Sequence, residues 1–163
     1  MITVRDLKSE DIFRCLEIYN YYISNSVATF EETPLSVSAF RERIGRITKK
    51  YPFLVATDEE NILGYAYLDE FNPRSAYRIT ADLSIYVSLD HTQTGTGSLL
   101  YEEIEKRAKE LNIENIISII TAENEISLRF HERHGFTFAG ELKDAGIKFG
   151  RHISVRYYQK SVF

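Results

Sequence analysis

The stretch AYRITADLSIYVSLDHTQTGTGSLL, residues 76–100, decides the fold. Its first half alternates. Tyr77, Ile79, Ala81, Leu83, Ile85 and Val87 fall on one face, and Arg78, Thr80, Asp82, Ser84 and Tyr86 on the other. That period of two predicts a strand over residues 76–88, with one face in the core and one toward something polar. A turn rich in Gly, Thr and Ser follows. A helix then carries Leu100, Ile104, Ala108 and Leu111 on one stripe.

Working toward the N-terminus, residues 62–69 and 52–57 read as a hairpin around the turn Asp58-Glu59-Glu60-Asn61. Residues 36–48 read as a helix capped by Ser36 or Ser38, and residues 10–24 as an amphipathic helix capped by Ser9. Residues 2–6 make a short strand. Toward the C-terminus, NIISIIT (115–121) is nearly continuous in apolar residues, which predicts a strand covered on both faces. Asn124 opens another helix that ends near Gly135, and residues 136–141 and 152–160 are two further strands. The order β-α-α-β-β-β-α-β-α-β-β predicts a mixed α+β layered domain, with helices covering a sheet.

Composition narrows the partners. The chain has 163 residues, 44% hydrophobic and 27% charged, as expected of one globular domain spanning 1–163. With 20 basic against 24 acidic side chains the net charge is −4, and no Lys/Arg cluster is long enough to track phosphates, so nucleic acid is not an expected partner. No apolar run approaches the roughly 20 residues that span a bilayer, and no secretory leader pattern opens the chain, so a cytoplasmic protein with no membrane partner is expected. The single cysteine, Cys15, lies on the apolar stripe of the first helix and reads as a packed core thiol.

The turn between strand and helix carries the chemistry. The first turn of a helix has unpaired N–H groups and the positive end of the dipole, and glycines let an anion approach them closely. Gly95 and Gly97, with hydroxyls on Thr94, Thr96 and Ser98, fit either a phosphate site or a capped turn with no ligand. No lysine follows Gly97, which excludes a Walker loop, and Leu100 stands where a dinucleotide fingerprint needs a small residue. His131 and His134 lie three apart with no third ligand at a suggestive spacing, so no metal is expected.

HTQTGTGS at residues 91–98 resembles the pyrophosphate loop of the GNAT acetyltransferase superfamily, whose pattern is Q/R-x-x-G-x-G/A. Thr92 stands where that pattern has Gln or Arg, and Gln93 comes one residue late. Four longer stretches resemble the phosphinothricin and methionine sulfoximine N-acetyltransferases: IYNYYISNSVATFEETPLS (18–36), YRITADLSIYVSLDH (77–91), NEISLRFHERHGF (124–136) and AGIKFGRHISV (145–155).

The resemblance implies the GNAT fold: a mostly antiparallel sheet of about seven strands, helices on both faces, and two parallel strands, the fourth and fifth, that splay apart around acetyl-CoA. By resemblance, the backbone of Ile85, Tyr86 and Val87 pairs with the pantetheine arm, and the Val87 N–H stabilises the acetyl oxygen. Gln93, Thr94, Gly95, Thr96, Gly97 and Ser98 hold the pyrophosphate. Asn124 contacts the cofactor arm, caps its helix, or does both.

Asp82 stands where the family has a glutamate proposed as base. It is either a base working through water or a polar-face acid that is solvated or salt-bridged, with Arg78 a candidate partner. His131 matches a second family residue, near where other members place a tyrosine acid. It is either functional or a helix histidine packed on the sheet. Phe30 and Glu31 match a stretch that lines the acceptor pocket. Arg74, Ser75, Ala76, Tyr77 and Arg78 match the region that holds the acceptor's polar end, where an arginine fork suits a carboxylate. Lys148, Phe149, Gly150 and Arg151 match a stretch at the mouth.

The implied activity is acetyl transfer to the α-amino group of a small L-amino acid such as phosphinothricin, methionine sulfoximine or methionine sulfone. It proceeds by direct attack in a ternary complex within a homodimer, and the outcome is detoxification. Acetylation of a protein N-terminus or polyamine, and a CoA sensor without catalysis, are the other readings.

Overall fold

A computed structural model describes residues 1–59 and 61–163. Seven strands form one sheet: β1 (Ile2–Asp6), β2 (Phe53–Asp58), β3 (Asn61–Glu70), β4 (Thr80–Val87), β5 (Asn115–Thr121), β6 (Thr137–Lys148) and β7 (Arg151–Ser161). The spatial order is β1-β2-β3-β4-β5-β7-β6, antiparallel throughout except that β4 and β5 run parallel. Of the expected turn between β2 and β3, Glu60 lies outside the described residues.

Alternation divides β2 between two cores. Phe53 and Val55 face α1 (Ile12–Asn25) and α2 (Val37–Ile47), in a cluster with Cys15, Tyr19, Phe40 and Tyr65. Leu54 and Ala56 face the other way, into a cluster with Leu100, Ile104 and Ala108 of α3 (Thr96–Glu110) and Leu128 of α4 (Glu125–Arg133). Helices thus cover both faces, as the strand–helix order predicts. Among the described residues, no helix is long and apolar enough to cross a membrane.

Local chemistry explains most boundaries. Ser36 caps α2, its hydroxyl accepting from the Ala39 N–H at 3.1 Å. The expected Ser9 cap of the first helix is not formed. Residues Ser9–Asp11 make a 3₁₀ turn instead. Asp11, not Ser9, accepts from the Lys8 N–H at 2.7 Å and is gripped by Arg5 at 2.7 and 3.0 Å. The Ser9 hydroxyl accepts from Arg41.

Two strands differ from expectation. β4 starts at Thr80, not at residue 76; Ser75–Ile79 form a 3₁₀ turn. Its neighbour β3 ends opposite Ala81, so the earlier residues have no edge to pair with. The Tyr77 N–H bonds to the Arg74 carbonyl at 2.9 Å, and the Tyr77 ring packs edge-on against Phe71. β6 runs on to Lys148, well past residue 141. Phe149 and Gly150, with φ of 53° and 71°, form the tight two-residue turn between β6 and β7, whose backbone twist suits an antiparallel ribbon.

One irregularity makes the site. β4 and β5 pair only at Thr80↔Asn115, Ala81↔Ile116 and Asp82↔Ile117, and then diverge. β5 is therefore not covered along its whole length: Ile119 is 45% exposed and faces the resulting gap.

Candidate active site

The gap between β4 and β5 is a cleft of about 700 Å³. Two hydrogen bonds fix which way the β4 backbone points. The Ser88 N–H donates to the Leu63 carbonyl at 2.8 Å, and the Ile79 carbonyl accepts from the Glu114 N–H at 2.8 Å. Peptide groups alternate sides along a strand. Leu83, Ile85 and Val87 therefore turn their N–H and C=O groups toward the cleft, where β5 no longer meets them. Tyr86 turns its peptide groups to Tyr65 on β3, which corrects the expectation that all three residues 85–87 offer main-chain bonds. Tyr86 lines the cleft, with its ring packed against those of Tyr19, Tyr22 and Tyr65. The Tyr22 hydroxyl donates to the Val87 carbonyl and so holds the end of this open edge.

The open edge leads to the start of α3. Gly95, with φ of 89°, takes a left-handed conformation that favours glycine, and no side chain caps the helix. The first intrahelical bond runs from Leu99 N–H to Gly95, which leaves the N–H groups of Thr96, Gly97 and Ser98 without helical partners. Gly97 packs closely: a Cβ there would lie 3.2 Å from the Phe130 ring of α4, which would have to shift by a few tenths of an ångström. Of the three hydroxyls in this turn, only Ser98 belongs to the cleft lining. Thr96 is fully buried, and the Thr94 hydroxyl donates to the His91 carbonyl at 2.5 Å and meets the Thr96 hydroxyl at 3.0 Å. Thr94 and Thr96 thus shape the turn and lend it backbone donors. Gln93, at a φ of 62°, reaches the cleft; Thr92 also lines it, its hydroxyl donating to the Leu89 carbonyl.

Asn124 lines the cleft and caps α4, its side chain accepting from the Ser127 N–H at 3.3 Å. Two turns on from Asn124, His131 is 6% exposed. Its Nδ1 lies 2.7 Å from the Ser127 carbonyl, so Nδ1 carries the hydrogen and Nε2 bears the lone pair. Burial lowers the imidazole to about 4, against the Ser127 bond that favours protonation. His131 is therefore neutral at pH 7. It offers an acceptor, not the imidazolium proton expected of an acid.

Asp82 stands on the opposite sheet face from α3, with Ser84 and Tyr86. Burial, reinforced by Asp69 directly across on β3, raises its carboxyl to about 7, against a hydrogen bond from the Leu83 backbone. The alternative pairing with Arg78 is not formed: that guanidinium donates to the Ser75 carbonyl at 3.1 Å.

The other expected acceptor residues are not gathered in the cleft. Arg74, Ser75, Tyr77 and Arg78 line a separate depression of about 400 Å³ with Lys50 and Glu70, and Ala76 is exposed beside them. Glu31 is held by Arg43 and by the Tyr19 hydroxyl at 2.5 Å. Burial pushes its carboxyl up, but these bonds bring it below the ordinary range. Phe30 lies over Gly146, where any Cβ would strike its ring at 2.3 Å. Lys148 is buried, with Nζ donating to the Thr29 carbonyl at 2.8 Å.

Sequence reasoning passed over Ser118 and Thr121. Both hydroxyls are buried, line the cleft and, among the described residues, lack any hydrogen-bond partner. They are the only hydroxyl residues inside the apolar run of β5, which was the available signal. Buried hydroxyls are seldom left without a partner, so these two are open to water or a ligand in the cleft. Together with the open β4 edge and the uncapped helix, they suit a long ligand with amide groups along its arm and a phosphate at its end.

Comparison with known proteins agrees with this geometry. Residues 4–155 match the acetyltransferase (GNAT) domain family. The chain is 34% identical to a phosphinothricin N-acetyltransferase of Alcaligenes faecalis, over 97% of this chain and 81% of that protein. It is 31% identical to an L-methionine sulfoximine/L-methionine sulfone acetyltransferase of Pseudomonas paraeruginosa, over 96% and 92%. The crystal structure of a phosphinothricin acetyltransferase from Sinorhizobium meliloti in complex with AcCoA superposes with a TM-score of 0.95 at 35% identity, covering 99% of this chain and 88% of that one. Splayed parallel strands, a glycine turn under an uncapped helix and near full-length similarity lead to one conclusion: the chain belongs to the GNAT acetyltransferase family.

Proposed function

We propose that this protein uses acetyl-CoA to acetylate the α-amino group of a small L-amino acid or analogue of the phosphinothricin, methionine sulfoximine or methionine sulfone type. The observation that carries the reading is the open β4 edge running into the uncapped start of α3. Acetyl-CoA supplies an activated acetyl thioester. The Ile85 and Val87 peptide groups hold its arm as an added strand would. The N–H groups of Thr96, Gly97 and Ser98, with the Ser98 hydroxyl, hold the diphosphate at the positive end of the helix. The Ser118 and Thr121 hydroxyls, which no described residue engages, bond to the ligand in the complex. The Val87 N–H, anchored through Tyr22, is aimed where negative charge grows on the acetyl oxygen.

An α-ammonium group with a pKa near 8 must lose a proton before nitrogen can attack. A carboxyl raised to about 7 is matched to that task, and Asp82 takes the proton through a bridging water, being one methylene shorter than glutamate. His131 accepts a hydrogen bond at Nε2. Attack is direct, without an acyl-enzyme: Cys15 is fully buried away from the cleft, and burial raises its thiol to about 12. The protein works as a cytoplasmic homodimer, and its product is a detoxified amino acid.

Thiol release from acetyl-CoA across a panel of L-amino acids, phosphinothricin, methionine sulfoximine, methionine sulfone, peptides and polyamines tests this. Release with a small amino acid or analogue is expected. Release only with peptides or polyamines would replace the acceptor, and binding without release from any amine would make the protein a sensor.

A further inference from the structure

Asp82 does not stand alone on its strand face. The β3–β4 register is continuous from Gly64↔Val87 to Glu70↔Ala81. Because the Ser88 N–H bonds to Leu63, every second pair from there, including Asp69↔Asp82, is a hydrogen-bonded pair, with Cα atoms about 5.5 Å apart. Two carboxylates directly opposite on one face repel each other. Asp69 is fixed in place: Arg46 of α2 grips both its oxygens at 3.1 and 3.2 Å. Arg46 is itself 61% exposed, so it quenches the Asp69 charge only in part.

The remaining surroundings hold little that competes. On β3, Tyr67 is the other titratable neighbour, and burial raises its phenol. On α2, Arg43 faces Tyr67 but is committed to Glu31. On β5, the paired Ile117 and nearby Asn115 carry no charge. On β4 itself, Thr80 and Ser84 are neutral, and the Leu83 N–H favours the carboxylate.

We propose that Asp69, clamped by Arg46, is a positioning residue that sets the pH at which Asp82 gives up its proton. The inference rests on Asp82 acting as the base. Asp69 touches no reacting atom. It acts through space, by disfavouring charge on Asp82 until the pH is high enough for the amine itself to be partly free. Arg46 has the opposite sign, since it cancels part of the Asp69 charge.

The two substitutions therefore push in opposite directions, which loss of packing does not do. Asp69→Asn removes the repelling charge and should move Asp82 ionisation down by about one pH unit. Arg46→Gln uncovers the charge and should move it up. The side-chain carboxyl of Asp82 is followed by ¹³C NMR in the intact protein, and turnover of each variant against pH is normalised to its own alkaline plateau. In Asp69→Asn, normalised turnover at pH 6 should rise about fivefold; in Arg46→Gln it should fall.

An Asp82 titration that stays in place in Asp69→Asn, or moves the same way in both variants, overturns the inference. A titration that moves in opposite directions while the turnover profile stays still upholds the charge coupling and instead removes Asp82 from the role of base.

Discussion

Replacing Asp82 with asparagine should make the protein more stable and nearly inactive at once. The native carboxyl is raised from 3.8 to about 7, first by burial and then by Asp69. A carboxyl held above its unfolded value is the reverse of the usual case. Below pH 4 it is protonated in both states and contributes no difference. From there to about pH 7 the unfolded chain ionises freely while the native group stays neutral, so native stability falls as pH rises. Above about 7 the loss is complete. At about 1.4 kcal/mol per unit, the full penalty is about 4 kcal/mol. Asparagine never ionises, so Asp82→Asn should match wild type near pH 4 and exceed it by up to about 4 kcal/mol at pH 8. That corresponds to a Tm on the order of 10 °C higher. Urea unfolding at pH 4, 6 and 8 reads the difference, and thiol release reads activity, expected to fall roughly 10²-fold or more. A variant with no pH-dependent gain over wild type would refute the claim that Asp82 is held neutral by its surroundings. Wild-type activity at pH 7 would refute its role as base.

Ser118→Ala deletes a buried hydroxyl that makes no hydrogen bond to any described residue, so unfolding free energy should change by less than about 1 kcal/mol. Calorimetric affinity for acetyl-CoA should fall several-fold, and unchanged affinity would show that the hydroxyl does not meet the ligand. Glu31→Gln breaks the ion pair with Arg43 and weakens the bond from Tyr19, so it should cost about 1 kcal/mol of stability. A raised KM with no loss of stability would instead return Glu31 to the acceptor pocket.

Much of the architecture is legible in the sequence because hydrophobic periodicity is strong where elements are half-buried. β4 and α3 follow directly from alternation and from the stripe of Leu100, Ile104 and Ala108. The limits come from pairing, which a single sequence does not encode. Tyr77 and Ile79 continue the alternation of β4, yet form a 3₁₀ turn because β3 has ended. The two-residue Phe149-Gly150 turn carries a glycine, but its Phe at positive φ is no ordinary turn signal.

At the site, the glycine turn itself was readable, because Gly95 and Gly97 interrupt the alternation of β4 just before the helical stripe of α3. The fate of each hydroxyl was not. Thr96 turns inward, and Ser98 lines the cleft with its hydroxyl 2.9 Å from His134 Nε2, a choice made by the packing of α3 against the sheet and α4. Two charge pairings were equally hidden. Asp82 meets Asp69 across the sheet instead of Arg78 nearby in sequence, and Glu31 is committed to Arg43, twelve residues away. Both depend on register and helix docking. His131 carries the same lesson, since its neutral state follows from burial against Phe130 and Phe136.

The most direct measurement is an amide ¹H–¹⁵N NMR titration of the protein with acetyl-CoA. The N–H signals of Ile85, Val87, Thr96, Gly97 and Ser98 should shift together and saturably, while those of Tyr86 and Ser88, already bonded to β3, should move far less. Saturable binding that leaves the β4 edge and the start of α3 unshifted, with the changes gathered around Arg74 and Arg78 instead, would contradict the placement of the cofactor between the splayed strands.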